Sequence, residues 1–191
     1  MFSLVFSRRY AMAHRLIAGL SEKCAIPHGH NETVTVTLRA VSPAPLDGFA
    51  NMVVPFERAK RMWHRWIDEH VDHALQLSAG DPLLDWFAER EPHRLSRLLV
   101  TPGDPTTEVL AACMKAKLSA FLAADGGHLA CASIRVDETP TNTVTFEGDP
   151  AAVLPRSSLA RPWWMRADMC ISDLAAPAPA PATMHFTSAA G

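Results

Sequence analysis

The chain lacks most of the features that mark a membrane, secreted or nucleic-acid-binding protein. No apolar run is long enough to span a bilayer, and the apolar start, residues 1–6, meets Arg8-Arg9 at once. That is too short for the core of a signal peptide, so a soluble, cytoplasmic protein without a membrane partner is expected. An excess of one charge is also missing. The formal net charge is -2, which leaves no broad basic field for nucleic acid. There are only four cysteines, with no CxxC spacing, which excludes a disulfide framework. No internal repeat is visible. With 191 residues, 48% hydrophobic and 20% charged, the composition is that of one globular core with room for an appendage.

What is present is period-two patterning followed by helical patterning. Phe2, Leu4, Phe6, Tyr10, Met12 and His14 share one parity, and so do His28, His30, Val34, Val36 and Leu38. Both segments read as half-buried strands. Pro43, Pro45 and Gly48 mark a connection, with a short strand at Met52-Val53-Val54. Pro55 then opens a one-sided helix carrying Phe56, Ala59, Trp63, Trp66, Ile67, Val71 and Ala74. Residues 78–104 are less regular, with a short helix over 83–90. Asp104-Pro105 predicts the cap and first residue of a second long helix, with Leu110, Met114, Leu118 and Phe121 as its stripe and Gly126-Gly127 as its stop. Strands are expected over 129–139 and 143–147. Two strands, two helices and two strands imply an α+β fold, an antiparallel four-stranded sheet with two helices on one face.

From residue 150 the composition shifts. Six of the fifteen prolines lie there, and residues 175–182 alternate alanine with proline. The expected division is a domain over 1–149 and a Pro/Ala-rich extension over 150–191, extended and in part poorly ordered. Within it, Trp163-Trp164 is expected to dock on a neighbouring subunit or cover a pocket mouth, since adjacent exposed tryptophans are costly in water.

The chemistry gathers around His28-Gly29-His30. Residues two apart in a strand face the same way, so both imidazoles can meet at one point, and His14 on an antiparallel partner can join them. Gly29 allows close backbone approach. Three imidazoles leave one tetrahedral position open, the pattern of catalytic zinc. Cys24, four residues before His28, is either a base whose thiol a metal acidifies or a fourth ligand that closes the site. Asp72-His73 is an acid/base pair oriented by a carboxylate, or an exposed polar pair at a helix end. Glu138, on the face of Ile134 and Val136, can accept two hydrogen bonds from a guanidine-like ring edge. Cys113 and Cys131 read as small buried hydrophobes.

Five motifs in order resemble one family. They are Ala13-His14-Arg15-Leu16, Cys24-x-x-x-His28-Gly29-His30-Asn31, Asp72-His73, Pro105-Thr106-Thr107-Glu108 and Asp137-Glu138-Thr139. Over residues 1–148 the chain is similar to the 6-pyruvoyl-tetrahydropterin synthase / 6-carboxy-tetrahydropterin synthase family. The resemblance implies the tunnelling fold, whose sheets assemble into an oligomeric barrel with active sites at subunit interfaces. It implies that His14, His28 and His30 hold Zn2+ and that Cys24 is the proton acceptor. Asp72 and His73 would serve Cys24 across an interface, Glu138 would anchor the pterin ring, and Thr106 and Thr107 would line its pocket. The implied substrate is dihydroneopterin triphosphate. The short Cys-x-x-x-His-x-His spacing resembles the branch that releases acetaldehyde and triphosphate and leads to 7-deazaguanines such as queuosine. The pyruvoyl branch, a catalytically silent pterin-binding protein and a zinc hydrolase with Glu32 as base are the alternatives.

The sequence departs from the family in three ways. Glu32 stands where the family has an aromatic residue, on the face of His28 and His30, as a partner for an imidazole, an extra ligand or a surface charge. Pro55 stands where an aspartate usually precedes the first helix. The stretch 78–104 is long, and the extension beyond 150 has no counterpart.

Overall fold

The computed structural model describes residues 2–19, 21–42, 45–156, 159 and 161–174. The expected tail of alternating alanine and proline lies outside the described residues. Two long strands, β1 (Ser3–His14) and β2 (His28–Ala40), pair antiparallel along their whole length. Their alternation sends Leu4, Tyr10, Met12, Val34, Val36 and Leu38 into the core, as period two requires. β5 (Leu129–Asp137) pairs antiparallel with β2, and β6 (Thr143–Phe146) with β5. These are the four strands expected.

The sheet itself has six strands, in the order β4-β3-β1-β2-β5-β6. β3 (Ala74–Ser78) joins the free edge of β1 in parallel, and β4 (Leu98–Thr101) joins β3 in parallel. The expectation of a purely antiparallel four-stranded sheet is thus corrected to a mixed one. Both added strands are runs of five residues or fewer, a length at which apolar periodicity does not separate strand from helix. Ala74, expected at the end of a helical stripe, begins β3. The strand expected at Met52-Val53-Val54 does not form, and Met52 and Val53 are exposed.

The first helix, α1 (Phe56–Trp66), runs on into a wide turn over Ile67–Val71, closed by the Asp72 N–H on the Ile67 carbonyl at 2.8 Å. Trp63, Trp66, Ile67 and Val71 face the sheet. Pro55 occupies the cap position itself, and its carbonyl accepts from the Arg58 and Ala59 N–H groups in place of a side-chain cap. The long helix α3 (Thr107–Ala124) packs beside α1 on the same face. The short helix α2 (Leu83–Arg90) covers a separate apolar cluster around Leu77, Leu95 and Leu98. Leu75 and Leu77 alternate with Ala74 and Gln76, so α2 lies on the other face of the sheet.

The C-terminal segment corrects a second expectation. After the short helix α4 (Pro150–Val153), Trp163 and Trp164 are buried in the core of their own chain. Trp163 stacks on Trp66 with ring centroids 6.2 Å apart, and its Nε1–H donates to the Val100 carbonyl at 2.7 Å. The Val100 N–H donates to the Ile171 carbonyl at 3.1 Å, so this segment covers the exposed edge of β4. The anchor is Lys117, in the middle of α3 and fully buried. Its ammonium donates to the Trp163 carbonyl and to Asp168, each at 3.0 Å. It lies 5.4–5.9 Å from the ring centres of Phe121, Trp163 and Trp66, within cation–π range. Large aromatic area draws the tryptophans inward, and a neighbouring subunit is not needed to cover them.

Two outcomes follow. Trp163→Ala is expected to cost about 3–5 kcal/mol, read as a lowered urea midpoint; an unchanged midpoint contradicts the strap. Burial raises the Asp168 carboxyl, but bonds from Arg166, Lys117 and the Cys170 N–H outweigh it and hold the group at about 2. A depressed carboxylate stabilises the fold above its ordinary value of 3.8 and loses that contribution as pH falls through about 2. The stability gap between the parent protein and Asp168→Asn should therefore shrink between about pH 4 and about pH 2. A gap that does not change with pH contradicts this.

Candidate metal centre and substrate pocket

The antiparallel register sets His14 directly across from His28, and Met12 across from His30. All three imidazoles rise from the helix-covered face at one end of the sheet. Gly29 lies opposite Ala13, and a Cβ there would sit 3.1 Å from the Met12 carbonyl oxygen, a tight contact that would require the neighbouring backbone to shift by a few tenths of an ångström. The nitrogens that the three rings offer lie within 4.8 Å of one another. Among the described residues, this group could hold a metal ion and consists of the three histidines alone.

Backbone carbonyls orient two of the rings. The His14 Nδ1–H donates to the Pro105 carbonyl at 3.0 Å, and the His28 Nδ1–H to the Ile26 carbonyl at 2.9 Å. A carbonyl only accepts, so each Nδ1 carries the proton and each Nε2 presents a lone pair. Those two Nε2 atoms are 3.2 Å apart. Two facing lone pairs at that distance repel unless a cation lies between them, so the donor set fits a metal ion. Burial lowers the His14 pKa despite the bond to Pro105, which keeps the ring in the neutral form that a metal binds.

The start of α3 differs from expectation in its cap. Thr106, not Asp104, is the N-cap, and its Oγ1 accepts from the Val109 N–H at 3.4 Å. Asp104 is used elsewhere: its carboxylate accepts from the Ile17 and Ala18 N–H groups at 3.0 and 2.8 Å. This ties the loop after β1 to the helix start and fixes the Pro105 carbonyl under His14. Thr107 donates its hydroxyl to Glu138 Oε1 at 2.8 Å, so the Thr107 and Glu138 expected to share a pocket do meet.

Cys24 is a free, half-buried thiol in the turn before β2, and its carbonyl accepts from the Leu16 N–H at 2.8 Å. Its sulfur is outside the metal-ligand group. Asp72 and His73 do pair, Nδ1 to Oδ2 at 2.9 Å, while the other Asp72 oxygen accepts from the Ala11 N–H at 2.8 Å. Arg97 donates to the carbonyls of Glu69 and Asp72 and holds this turn. The His73 side chain is 76% exposed and no described contact joins it to the three histidines. Its backbone φ of 63° lies in the left-handed region that non-glycine residues seldom adopt.

Glu32 is neither an extra ligand nor a surface charge. It is 4% exposed, and Tyr10, its cross-strand partner, donates a hydroxyl to its Oε2 at 2.6 Å. Burial raises the Glu32 carboxyl to about 7, against the Tyr10 bond and with the Glu138 charge adding to the rise. Tyr10 is the partner of Glu32 that motif reading passes over. Its parity with His14 was the available signal.

Titration of the metal-free protein with Co2+ is expected to show one ion per chain by visible absorption. His30→Ala should weaken that binding by at least about 100-fold, beyond the loss typical of an outer-shell change. A parent protein that takes up no Co2+ contradicts the metal centre.

Comparison with known proteins agrees with this geometry. The family model described as 6-pyruvoyl tetrahydropterin synthase matches residues 3–149. A 6-carboxy-5,6,7,8-tetrahydropterin synthase of Rickettsia bellii is 32% identical over 102 residues, 53% of this chain and 69% of that protein. One from Rickettsia felis is 28% identical over 127 residues, 66% of this chain and 86% of that protein. Among solved structures, an uncharacterized protein from Wolinella succinogenes superposes with a TM-score of 0.62 at 20% identity, covering 78% of this chain and 98% of the other. The Caenorhabditis elegans 6-pyruvoyl tetrahydropterin synthase gives 0.52 at 23%, covering 78% and 96%. The architecture is the tunnelling fold, and the C-terminal strap lies beyond the residues that the family model matches. The three-histidine group and the chain around it belong to the 6-pyruvoyl tetrahydropterin synthase family.

Proposed function

We propose that the protein is a zinc-dependent 6-carboxy-tetrahydropterin synthase. It would convert dihydroneopterin triphosphate to the 6-carboxy product, releasing acetaldehyde and triphosphate, as a cytoplasmic step toward 7-deazaguanines such as queuosine. The observation that carries this reading is the three-histidine group with Cys24 outside it, which leaves a coordination position for substrate. Two relatives bear the name of that activity.

The nitrogen donor set suits zinc, which bound there would act as a Lewis acid on the side-chain hydroxyls of the substrate. Glu138, held by Thr107, would accept the N–H groups of the pterin guanidine edge, with two charge-assisted bonds fixing the ring. Thr106 lines the same pocket through the helix start that it caps. Cys24 would move protons on the side-chain carbons as general base and acid. Asp72 would orient His73, which relays protons. Since His73 faces solvent in its own chain, the pair would serve Cys24 of a neighbouring copy, so a homo-oligomer is part of this reading.

The test is to incubate zinc-loaded protein with dihydroneopterin triphosphate and assay acetaldehyde and triphosphate. Acetaldehyde from the parent protein, with a loss of about 10²–10⁴ in turnover in Cys24→Ala at unchanged zinc content, is expected. Triphosphate without acetaldehyde would place the chain in the pyruvoyl branch. Neither product would overturn the reading.

A further inference from the structure

Glu32 is the residue the proposed reaction does not use, and its surroundings define a task for it. Thr33 pairs with Asp137 across β2 and β5, so Glu32 and Glu138 are the next residues along that ladder. Tyr10 pairs with Glu32 on the other side. One row across β1, β2 and the end of β5 therefore reads Tyr10, Glu32, Glu138. The next rows toward the end of the sheet on the same face read Met12 with His30, then His14 with His28, about 7 Å apart per step. Thr107 donates its hydroxyl to Glu138 Oε1 at 2.8 Å, which fixes the third residue of the row beside the start of α3.

Within that row Glu32 is committed at one oxygen only. Oε2 takes the Tyr10 hydroxyl, and among the described residues Oε1 has no hydrogen-bond partner and no cation pairs with the carboxylate. Tyr10 is itself 4% exposed, so its ring and hydroxyl hold the carboxylate in one orientation. Oε1 is not among the fully enclosed unpaired atoms, so it keeps an open side at which a ligand N–H can donate a charge-assisted bond. An aromatic side chain at this position, the residue the resemblance leads one to expect, offers a ring no acceptor.

We propose that Glu32, pinned by Tyr10, is a second acceptor of the heterocycle pocket and makes it selective for reduced pterins. The inference rests on the pterin reading of the site. Glu138 takes the guanidine edge, and Glu32 takes a further ring N–H, which dihydropterins carry and fully oxidised pterins lack. The second carboxylate thus discriminates by oxidation state of the ring, through one hydrogen bond that only the reduced ring can donate. Rejection of an analogue that lacks the matching donor is stronger than rejection by shape alone.

The experiment compares equilibrium binding of 7,8-dihydroneopterin and neopterin to the zinc-loaded full chain by calorimetry. The parent protein should favour the dihydro ligand by at least about tenfold. Glu32→Phe should bring that ratio near one, and Tyr10→Phe should lower it part of the way by freeing the carboxylate. Zinc content should stay unchanged in both variants, which shows that the three histidines remain assembled. If Glu32→Phe does not fold, Glu32→Gln carries the test with the same volume, and a reduced ratio is again expected. A ratio that persists in every folded variant overturns the inference and leaves the proposed function standing. A parent protein that binds neither pterin overturns both.

Discussion

The pairing register of β1 with β2 is the constraint on which the rest depends. It sets His14 across from His28, Met12 across from His30 and Tyr10 across from Glu32. A slip of one residue would turn every one of these side chains to the other face. Val34, Val36 and Leu38 are fully buried on the same face, so the slip would also expose the core. The register that stabilises the fold is thus the one that assembles the histidines. Burial of apolar strand residues holds the three imidazoles in place, with the Nε2 atoms of His14 and His28 only 3.2 Å apart.

Helix α3 links this end of the sheet to the other half of the molecule. Its first turn supplies the Pro105 carbonyl beneath His14 and the Thr107 hydroxyl beside Glu138. Its middle supplies Lys117, which fastens the C-terminal strap. The strap in turn covers the edge of β4 and completes the aromatic stack on α1. A buried lysine is costly to desolvate, and burial does lower its pKa. One carboxylate, one carbonyl and three aromatic faces offset that cost and give it a single geometry.

Much of this was legible from parity. His14, His28 and His30 shared a face with the core residues of their strands, and the structure joins them. Glu138 followed from the same alternation. Other features depended on partners distant in sequence. β3 and β4 are too short for periodicity to declare them, and only β1 and the strap give them neighbours. Asp104 has the chemistry of an N-cap, yet the N–H groups of Ile17 and Ala18 claim it, and Thr106 caps instead. Trp163-Trp164 looked exposed because their cover, Trp66 and Lys117, lies roughly 50 to 100 residues away. The fate of Glu32 turned on a single hydroxyl across the sheet, since the same position facing a phenylalanine would have left the carboxylate with no donor.

X-ray absorption of the zinc-loaded protein tests the central claim most directly, that the three histidines form an open centre. The account predicts a first shell of nitrogen and oxygen at about 2.0–2.1 Å, with imidazole scattering and no sulfur. A sulfur scatterer at about 2.3 Å would show Cys24 closing the site as a fourth ligand and would contradict it.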